Sequence, residues 1–179
     1  NGIVCTSSNA EQAFDWAYER GERILFIPDQ HLGINTAKDY GIKESEMVIW
    51  DPYKLNGGLE IEEIINSKII LWKGHCSVHT RFSVQQIEEA KKKNPDVNIL
   101  VHPECTNDVV SKADFVGSTE YIKNTVENSK PGSSWAIGTE INLVKRLAHT
   151  YTDKNISCLD EMVCPCATMY RVHPAYLLW

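Results

Sequence analysis

The chain has 179 residues, of which 42% are apolar and 23% charged, and a formal net charge of −6. This length and composition fit a soluble globular protein with one large domain or two small ones. The mild acidity argues against non-specific binding to nucleic acid or anionic membranes, which requires clustered Lys and Arg. No apolar run approaches the roughly 20 residues that cross a bilayer. Since there is also no leader-like segment, we expect a cytoplasmic protein.

Strand-like apolar runs alternate with helical patterns along the chain. The predicted strands cover residues 3–5, 23–27, 47–50, 69–72, 97–101, 114–116, 135–137 and 156–159. Helical patterns cover residues 10–20, 60–65, 83–93 and 141–149, and one more begins near 120. Near-continuous apolar strands that alternate with helices indicate parallel sheets covered on both faces. We therefore predict an α/β fold of repeated αβα sandwich domains.

The predicted domain boundary lies near residue 74, after the fourth strand-like run. The domains would cover residues 1–74 and 75–166, followed by a tail at 167–179. Because the chain opens directly in an apparent strand, we expect part of the first domain to be missing. A weak internal echo suggests a repeat: Ile27-Pro28-Asp29 and His102-Pro103-Glu104 both follow an apolar strand, 75 positions apart.

Six cysteines raise the question of a disulfide framework. Their density is well below that of small disulfide scaffolds, and several lie beside His, Glu or Pro at predicted loop positions. That setting suggests a metal or redox role. The chain lacks the Cys-x2-Cys spacing usual for zinc, and scattered single cysteines suit a cluster assembled from different domains. Buried structural thiols are an equal alternative, and they are the default interpretation of Cys5, Cys105 and Cys158.

Polar residues cluster where strands end and helices begin, which is where α/β folds build their sites. Thr6-Ser7-Ser8 and Gly117-Ser118-Thr119 each place hydroxyl groups before a helix. Such segments are either anion-binding cradles or plain helix caps, and two of them leave both interpretations open.

The run His102-Pro103-Glu104-Cys105 is the most informative local pattern. A His and a Glu two positions apart in an extended segment point the same way, so they are able to share proton transfers. An ion pair at the end of a strand is an equal alternative. Gly74-His75-Cys76-Ser77-Val78-His79 combines Cys and His after another strand, and Cys164-Pro165-Cys166 lies near the end of the chain.

Taken together, these segments resemble quinolinate synthase, an iron–sulfur enzyme family of NAD biosynthesis. The matching runs occur in the family's order and are Val4-Cys5-Thr6-Ser7-Ser8-Asn9-Ala10, Phe26-Ile27-Pro28-Asp29-Gln30-His31-Leu32-Gly33, Trp72-Lys73-Gly74-His75-Cys76-Ser77-Val78-His79, Val101-His102-Pro103-Glu104-Cys105, Val116-Gly117-Ser118-Thr119, Gly138-Thr139-Glu140 and Cys164-Pro165-Cys166. They correspond to the C-terminal half of the family's chain.

The resemblance implies two of the family's three αβα domains, which surround a pseudo-threefold axis. One cysteine from each domain binds a [4Fe–4S] cluster, whose fourth iron acts as a Lewis acid on the substrate. The implied reaction condenses iminoaspartate with dihydroxyacetone phosphate to give quinolinate, phosphate and water. The implied partners are these small molecules, with a functional link to an L-aspartate-oxidising enzyme and no nucleic acid or membrane.

The resemblance also implies the metal ligands. Cys76 matches the middle cluster ligand, and Cys166 matches the third, although Cys164 is an alternative. Cys5 is not expected to be a ligand, because the family's first cysteine lies upstream of the Thr-Ser-Ser-Asn-Ala motif, in a segment absent here.

By the same resemblance, Ser7 and Thr119 match positions that bind substrate or its phosphate. His102 and Glu104 match the active-site pair, with Glu104 as the proton-transfer group, and His79 resembles a pocket residue. Since the missing half would supply a ligand and a substrate motif, we expect the 179-residue chain alone to be catalytically incomplete. The rival hypotheses are an accessory α/β module that binds a metal or a phosphorylated metabolite without turnover, and a zinc-bound structural domain.

Overall fold

The computed structural model describes residues 2–160, 162 and 166–178, which form two parallel β-sheets with helices packed against them. The predicted α/β class is therefore confirmed. The positions of the domain boundaries stay a prediction. None of the helices in these residues has the length and apolarity that a membrane span requires.

The first sheet contains three short strands in the order β1-β3-β2, all parallel. Its strands are β1 (Ile24–Phe26), β2 (Met47–Trp50) and β3 (Ile69–Trp72). The helices that accompany it are α1 (Ala10–Tyr18), α2 (Gln30–Asp39) and α3 (Ile61–Asn66).

The second sheet contains four parallel strands in the order β5-β4-β6-β7. Its strands are β4 (Asn98–Val101), β5 (Phe115–Val116), β6 (Ser134–Gly138) and β7 (Asn155–Cys158). The remaining helices are α4 (Val84–Lys93), α5 (Asn107–Val110), α6 (Thr119–Glu127), α7 (Ile141–Thr150) and α8 (Pro174–Leu177).

Three helices begin at polar caps that follow the carboxyl ends of strands. The Asp29 carboxylate accepts the Leu32 amide at the start of α2, the Ser118 hydroxyl accepts the Tyr121 amide in α6, and Glu140 accepts two amides of α7. Each cap satisfies backbone N–H groups that have no partner within the helix. The caps fix where each helix begins, so the loops that follow the strands have a defined course.

The predicted strand at residues 3–5 is wrong. Ile3 and Val4 are exposed, and in the described part of the chain no strand pairs with them. An unpaired strand leaves its backbone groups without partners, so an apolar run of this kind stays irregular. α2 was not predicted, because it is a polar helix whose start depends on the Asp29 cap.

Candidate functional site

The two sheets meet around the loop that follows β3. Gly74 begins this loop, and its carbonyl accepts the Gln30 amide at 2.9 Å. A Cβ atom at Gly74 would collide with the carbonyl oxygen of Pro28, so only glycine fits this close approach of two backbone segments. The packing of the first sheet therefore fixes the backbone course toward Cys76.

Asp29 holds the backbone of Cys76. One carboxylate oxygen accepts the Cys76 amide at 2.8 Å, while the other accepts the Leu32 amide at 2.8 Å. Burial raises the pKa of Asp29, against the opposing effect of these two N–H donors. A single buried carboxyl group thus ties the start of α2 to the loop that carries the candidate cluster ligand.

His79, Glu104 and Thr139 form a hydrogen-bonded chain, in which Glu104 follows β4, Thr139 follows β6 and His79 lies between β3 and α4. His79 Nδ1 lies 2.8 Å from a Glu104 carboxylate oxygen, and His79 Nε2 lies 3.1 Å from the Thr139 hydroxyl. Burial alone would lower the pKa of His79, but hydrogen bonds with Cys76 and Glu104 outweigh it and raise the pKa to about 9. The bond from His79 lowers the pKa of Glu104, so the carboxylate is ionised.

His102 is buried and stacks on His79, with ring centroids 4.4 Å apart and an interplanar angle of 16°. Burial, reinforced by the charge of His79, lowers the pKa of His102 to about 4. Its Nδ1 accepts the Glu104 amide at 3.3 Å, so in the neutral ring Nε2 carries the hydrogen. That Nε2–H donates to the Ser7 hydroxyl at 3.1 Å and joins residues that are 95 positions apart.

Cys76, His79 and Glu104 form one compact group of possible metal ligands. The Cys76 sulfur, a His79 nitrogen and a Glu104 oxygen all lie within 4.8 Å of one another. Burial tends to raise the pKa of Cys76, but hydrogen bonds from His79 outweigh it, so the net shift is downward. A lowered pKa favours the thiolate, which is the form that binds metals.

Cys166 is half-buried and packs against the same core cluster as Cys76. Its sulfur accepts the Met169 amide at 3.5 Å. Cys164, the alternative third ligand, lies outside the described residues. The choice between the two cysteines, like the ligand roles themselves, stays a prediction.

The remaining described cysteines are packed among apolar residues. Cys105 is fully buried, with its sulfur 3.7 Å from the Gly138 carbonyl, and burial raises its pKa. Cys5 packs against the first core and Cys158 against both cores of the second sheet, and burial raises the pKa of each. Their apolar surroundings favour the interpretation that they are structural thiols, with Cys105 buried and Cys5 and Cys158 half-buried.

The two hydroxyl-bearing segments lie near one another. Ser7, Pro103 and Gly117 line one cavity of about 190 Å³, at the carboxyl end of β4 and β5. Thr119 is exposed as the first residue of α6, two positions from this cavity. A larger cavity of about 770 Å³, between α4 and the β6–β7 edge, contains none of the predicted site residues. Size alone therefore does not identify the candidate site.

Asn35 fixes the segment that carries Glu104. Its buried side-chain amide donates to the carbonyl oxygens of Pro103 and Cys105, at 2.7 and 2.9 Å, on either side of Glu104. Its oxygen accepts from the Asn107 amide at 2.8 Å, and Lys38 donates to Asn107 at 2.7 Å. This chain of bonds links α2 of the first sheet to α5 of the second.

Sequence reasoning missed Asp29, Asn35 and Thr139 as parts of the site. The echo between Ile27-Pro28-Asp29 and His102-Pro103-Glu104 was a usable signal, because both acids lie beside Cys76 and its partners. Thr139 sits in a run that resembles the family but had no role there. Asn35 lies inside α2, which itself was not predicted.

Comparison with known proteins gives the family. The family model described as quinolinate synthetase A protein matches residues 1–179. The chain is 54% identical to a quinolinate synthase of Corynebacterium glutamicum over 178 residues, which are 99% of this chain and 45% of that protein. It is 52% identical to the quinolinate synthase of Streptomyces coelicolor over 181 residues, 99% of this chain and 46% of that protein. The chain thus spans about half the length of these curated relatives, and it belongs to the quinolinate synthetase A protein family.

Proposed function

We propose that the natural protein containing this chain is a quinolinate synthase. It would condense iminoaspartate with dihydroxyacetone phosphate to give quinolinate, phosphate and water, as a step of NAD biosynthesis. The observation that carries the proposal is the convergence of Cys76, His79 and Glu104 into one group, next to the buried, neutral His102. Family membership and the printed names of the relatives support the same activity.

The donor set suits an iron–sulfur cluster. Cys76 has surroundings that favour the thiolate, and Cys166 is a half-buried thiol on the same core cluster. These two cysteines would hold the [4Fe–4S] cluster together with a third cysteine from outside this chain. When bound, the cluster supplies a Lewis-acidic iron that polarises substrate oxygen atoms.

The residues around His102 and Glu104 would bind the substrate and transfer protons. Glu104 is an ionised carboxylate held by His79, so it is the group best placed to take a proton from the substrate. His102 would donate its Nε2–H to a substrate carbonyl or carboxylate oxygen in place of Ser7. Ser7 and the start of α6 at Thr119 would bind the phosphate, through hydroxyl groups and the positive end of the helix dipole.

Anaerobic reconstitution of the intact polypeptide with iron and sulfide tests the cluster. The protein should become brown and form quinolinate, and Cys76→Ser should abolish both. Cys5→Ser is the matched thiol control and should leave the colour unchanged. A wild-type protein that takes up no cluster would contradict the proposal.

Glu104→Gln separates cluster binding from chemistry. The variant should keep the brown absorbance but lose turnover by a factor on the order of 10²–10⁴, the usual size of a general acid–base contribution. Full turnover in this variant would remove Glu104 from the mechanism.

A second candidate applies to the 179-residue chain by itself, since it spans about half of its relatives. Such a piece would act as a module that binds a phosphorylated metabolite without turnover. Retained binding of dihydroxyacetone phosphate, with no cluster and no quinolinate, would favour it over the complete enzyme.

A further inference from the structure

We propose that Cys76, His79 and Glu104 form a zinc-binding site in the protein when no cluster is present. Their three ligand atoms lie within 4.8 Å of one another. Thiolate, imidazole and carboxylate are the ligand types that zinc uses, and three protein ligands with one free position are typical of catalytic zinc sites. The zinc site differs from the cluster site in its ligands, because zinc would use one thiolate whereas the cluster uses three.

The spacing of the residues explains how the site forms. Cys76 and His79 are three positions apart, where the chain turns into the short 3₁₀ helix His79–Arg81, and the Thr80 amide donates to the Cys76 carbonyl at 3.1 Å. This turn brings the Cys76 sulfur and the His79 ring to the same side of the loop. Glu104 approaches from the end of β4, with its carboxylate 2.8 Å from His79 Nδ1.

The surroundings hold the ligands in position. The Thr139 hydroxyl lies 3.1 Å from His79 Nε2, where it accepts the ring hydrogen and leaves Nδ1 for the metal. Outer partners of this kind fix the tautomer and orientation of a ligating histidine. The stacked ring of His102 restricts the rotation of His79, and Asp29 anchors the backbone of Cys76. The positions of both His79 and Cys76 are therefore fixed before a metal binds.

Charge and softness favour zinc over the hard cations. One thiolate and one carboxylate carry two negative charges, which balance a divalent ion in a partly buried setting. A thiolate with an imidazole selects zinc or a similar transition metal, whereas Mg²⁺ and Ca²⁺ prefer oxygen ligands. On binding, Zn²⁺ would displace the proton that His79 Nδ1 shares with Glu104.

Zinc at this site would occupy the thiolate of Cys76, which the cluster also requires; this competition rests on the proposed function. Zinc binding and cluster assembly would then exclude each other in the same polypeptide. The zinc form would be colourless and inactive.

Cobalt is the optical probe for the site. The intact polypeptide, freed of iron by anaerobic chelation, should bind one equivalent of Co²⁺ and show a thiolate-to-cobalt charge-transfer band. Zn²⁺ should then bleach that band by displacing the cobalt. Cys76→Ser should lose the band, and His79→Ala and Glu104→Gln should weaken metal binding strongly. Thr139→Val, which removes an outer partner, should weaken it by roughly 10–100-fold.

Two controls separate this proposal from the cluster. Cys158, at the end of β7, is half-buried like Cys76 but lies outside the ligand group. The Cys158→Ser variant should therefore bind cobalt normally. His79→Ala should still assemble a brown cluster, because its cysteines are intact. Absence of the cobalt band in the wild type, or undiminished binding in His79→Ala and Glu104→Gln, would overturn the zinc site without touching the synthase proposal. A wild type that forms no cluster but still binds cobalt would contradict the synthase proposal and support the zinc site.

Discussion

The two sheets differ in how completely they are covered. Leu100 in β4 is fully buried under α6 and α7, while its neighbours Ile99 and Val101 are fully buried on the opposite face, under α4 and α5. Among the described residues, one face of the first sheet carries a closed core, formed around Phe26, Ile69 and Leu71 with α1 and α2.

The other face of the first sheet is more open. Leu25 and Ile70 lie in register there, with Val48 beyond them, and Leu25 is 59% exposed. α3 is short, and its Ile61 and Ile65 are also exposed. The site therefore combines two kinds of support: His102 and Glu104 follow a strand buried on both faces, whereas Cys76 follows a strand whose sheet is buried on one.

A matched pair of leucine variants measures this difference most strongly. Leu100→Ala should lower the free energy of unfolding by about 2–5 kcal/mol, because it opens a cavity in a closed core. Leu25→Ala removes the same atoms from a largely exposed position and should change stability by less than about 0.5 kcal/mol. Urea unfolding of the intact protein gives both values. A large cost at Leu25 would mean that this face is covered in the intact protein.

Gly74→Ala tests the backbone contact that leads to Cys76. The new methyl group would meet the Pro28 carbonyl, which is backbone and cannot swing aside. We expect a loss of about 1–3 kcal/mol, as for other overpacked sites, together with weaker cluster or metal binding at Cys76. Gly21→Ala is the control, since the nearest atom to its added methyl group would be 3.9 Å away. Equal stability of the two variants would show that the close approach at Gly74 has no cost.

Asn35→Ala tests the bonds that join the two sheets. The variant leaves the carbonyls of Pro103 and Cys105 without their donor, at a cost of about 1–3 kcal/mol for buried groups. Because these carbonyls flank Glu104, turnover should fall as well. Asn128→Ala removes an exposed amide that bonds only within its own helix end, so it should be nearly neutral. If neither variant lowers stability or turnover, the hydrogen bonds of Asn35 do not stabilise the protein or support Glu104.

The smallest expected effect is a loss of stability at alkaline pH, caused by Tyr18 at the edge of the first core. Tyr18 donates to the Lys68 carbonyl, and burial, with the charges of Tyr40 and Glu46, raises its pKa to about 12. Because the unfolded value is about 10, the folded state holds the proton more tightly, and stability should fall as the pH rises from about 10 to about 12. Tyr18→Phe should show a flatter profile in urea unfolding over this range. An identical slope in both proteins would contradict the assignment to Tyr18.

Much of the fold was predictable because strong local patterns agree with the tertiary structure. The apolar run at β4 is a strand buried on both faces, the run at β3 is a strand with one face in the first core, and the Ser83 cap begins α4 as predicted. The run at residues 3–5 has the same local pattern but no strand to pair with, and pairing is a long-range property. α2 was not predicted because it is a polar helix, and a polar helix has little hydrophobic periodicity in its sequence.

The site was predictable in its residue types more than in its contacts. His79, His102 and Glu104 lie together, and Ser7 bonds directly to His102, while the roles that the resemblance implied for them stay predictions. The roles of Asp29, Asn35 and Thr139 arise from hydrogen bonds over 47 to 70 positions of sequence. No local pattern encodes such distances, so these residues required the structure.

The hydrogen bond between Ser7 and His102 has a consequence for ligand exchange. A ligand that takes the Ser7 hydroxyl also frees the Nε2–H of His102, so both groups become available in one event. A molecule that displaced Ser7 from His102 would have to bond to both groups, or leave one of them without a partner. Because the bond joins the segment before α1 to the segment after β4, its loss would also remove a direct contact between residues 95 positions apart.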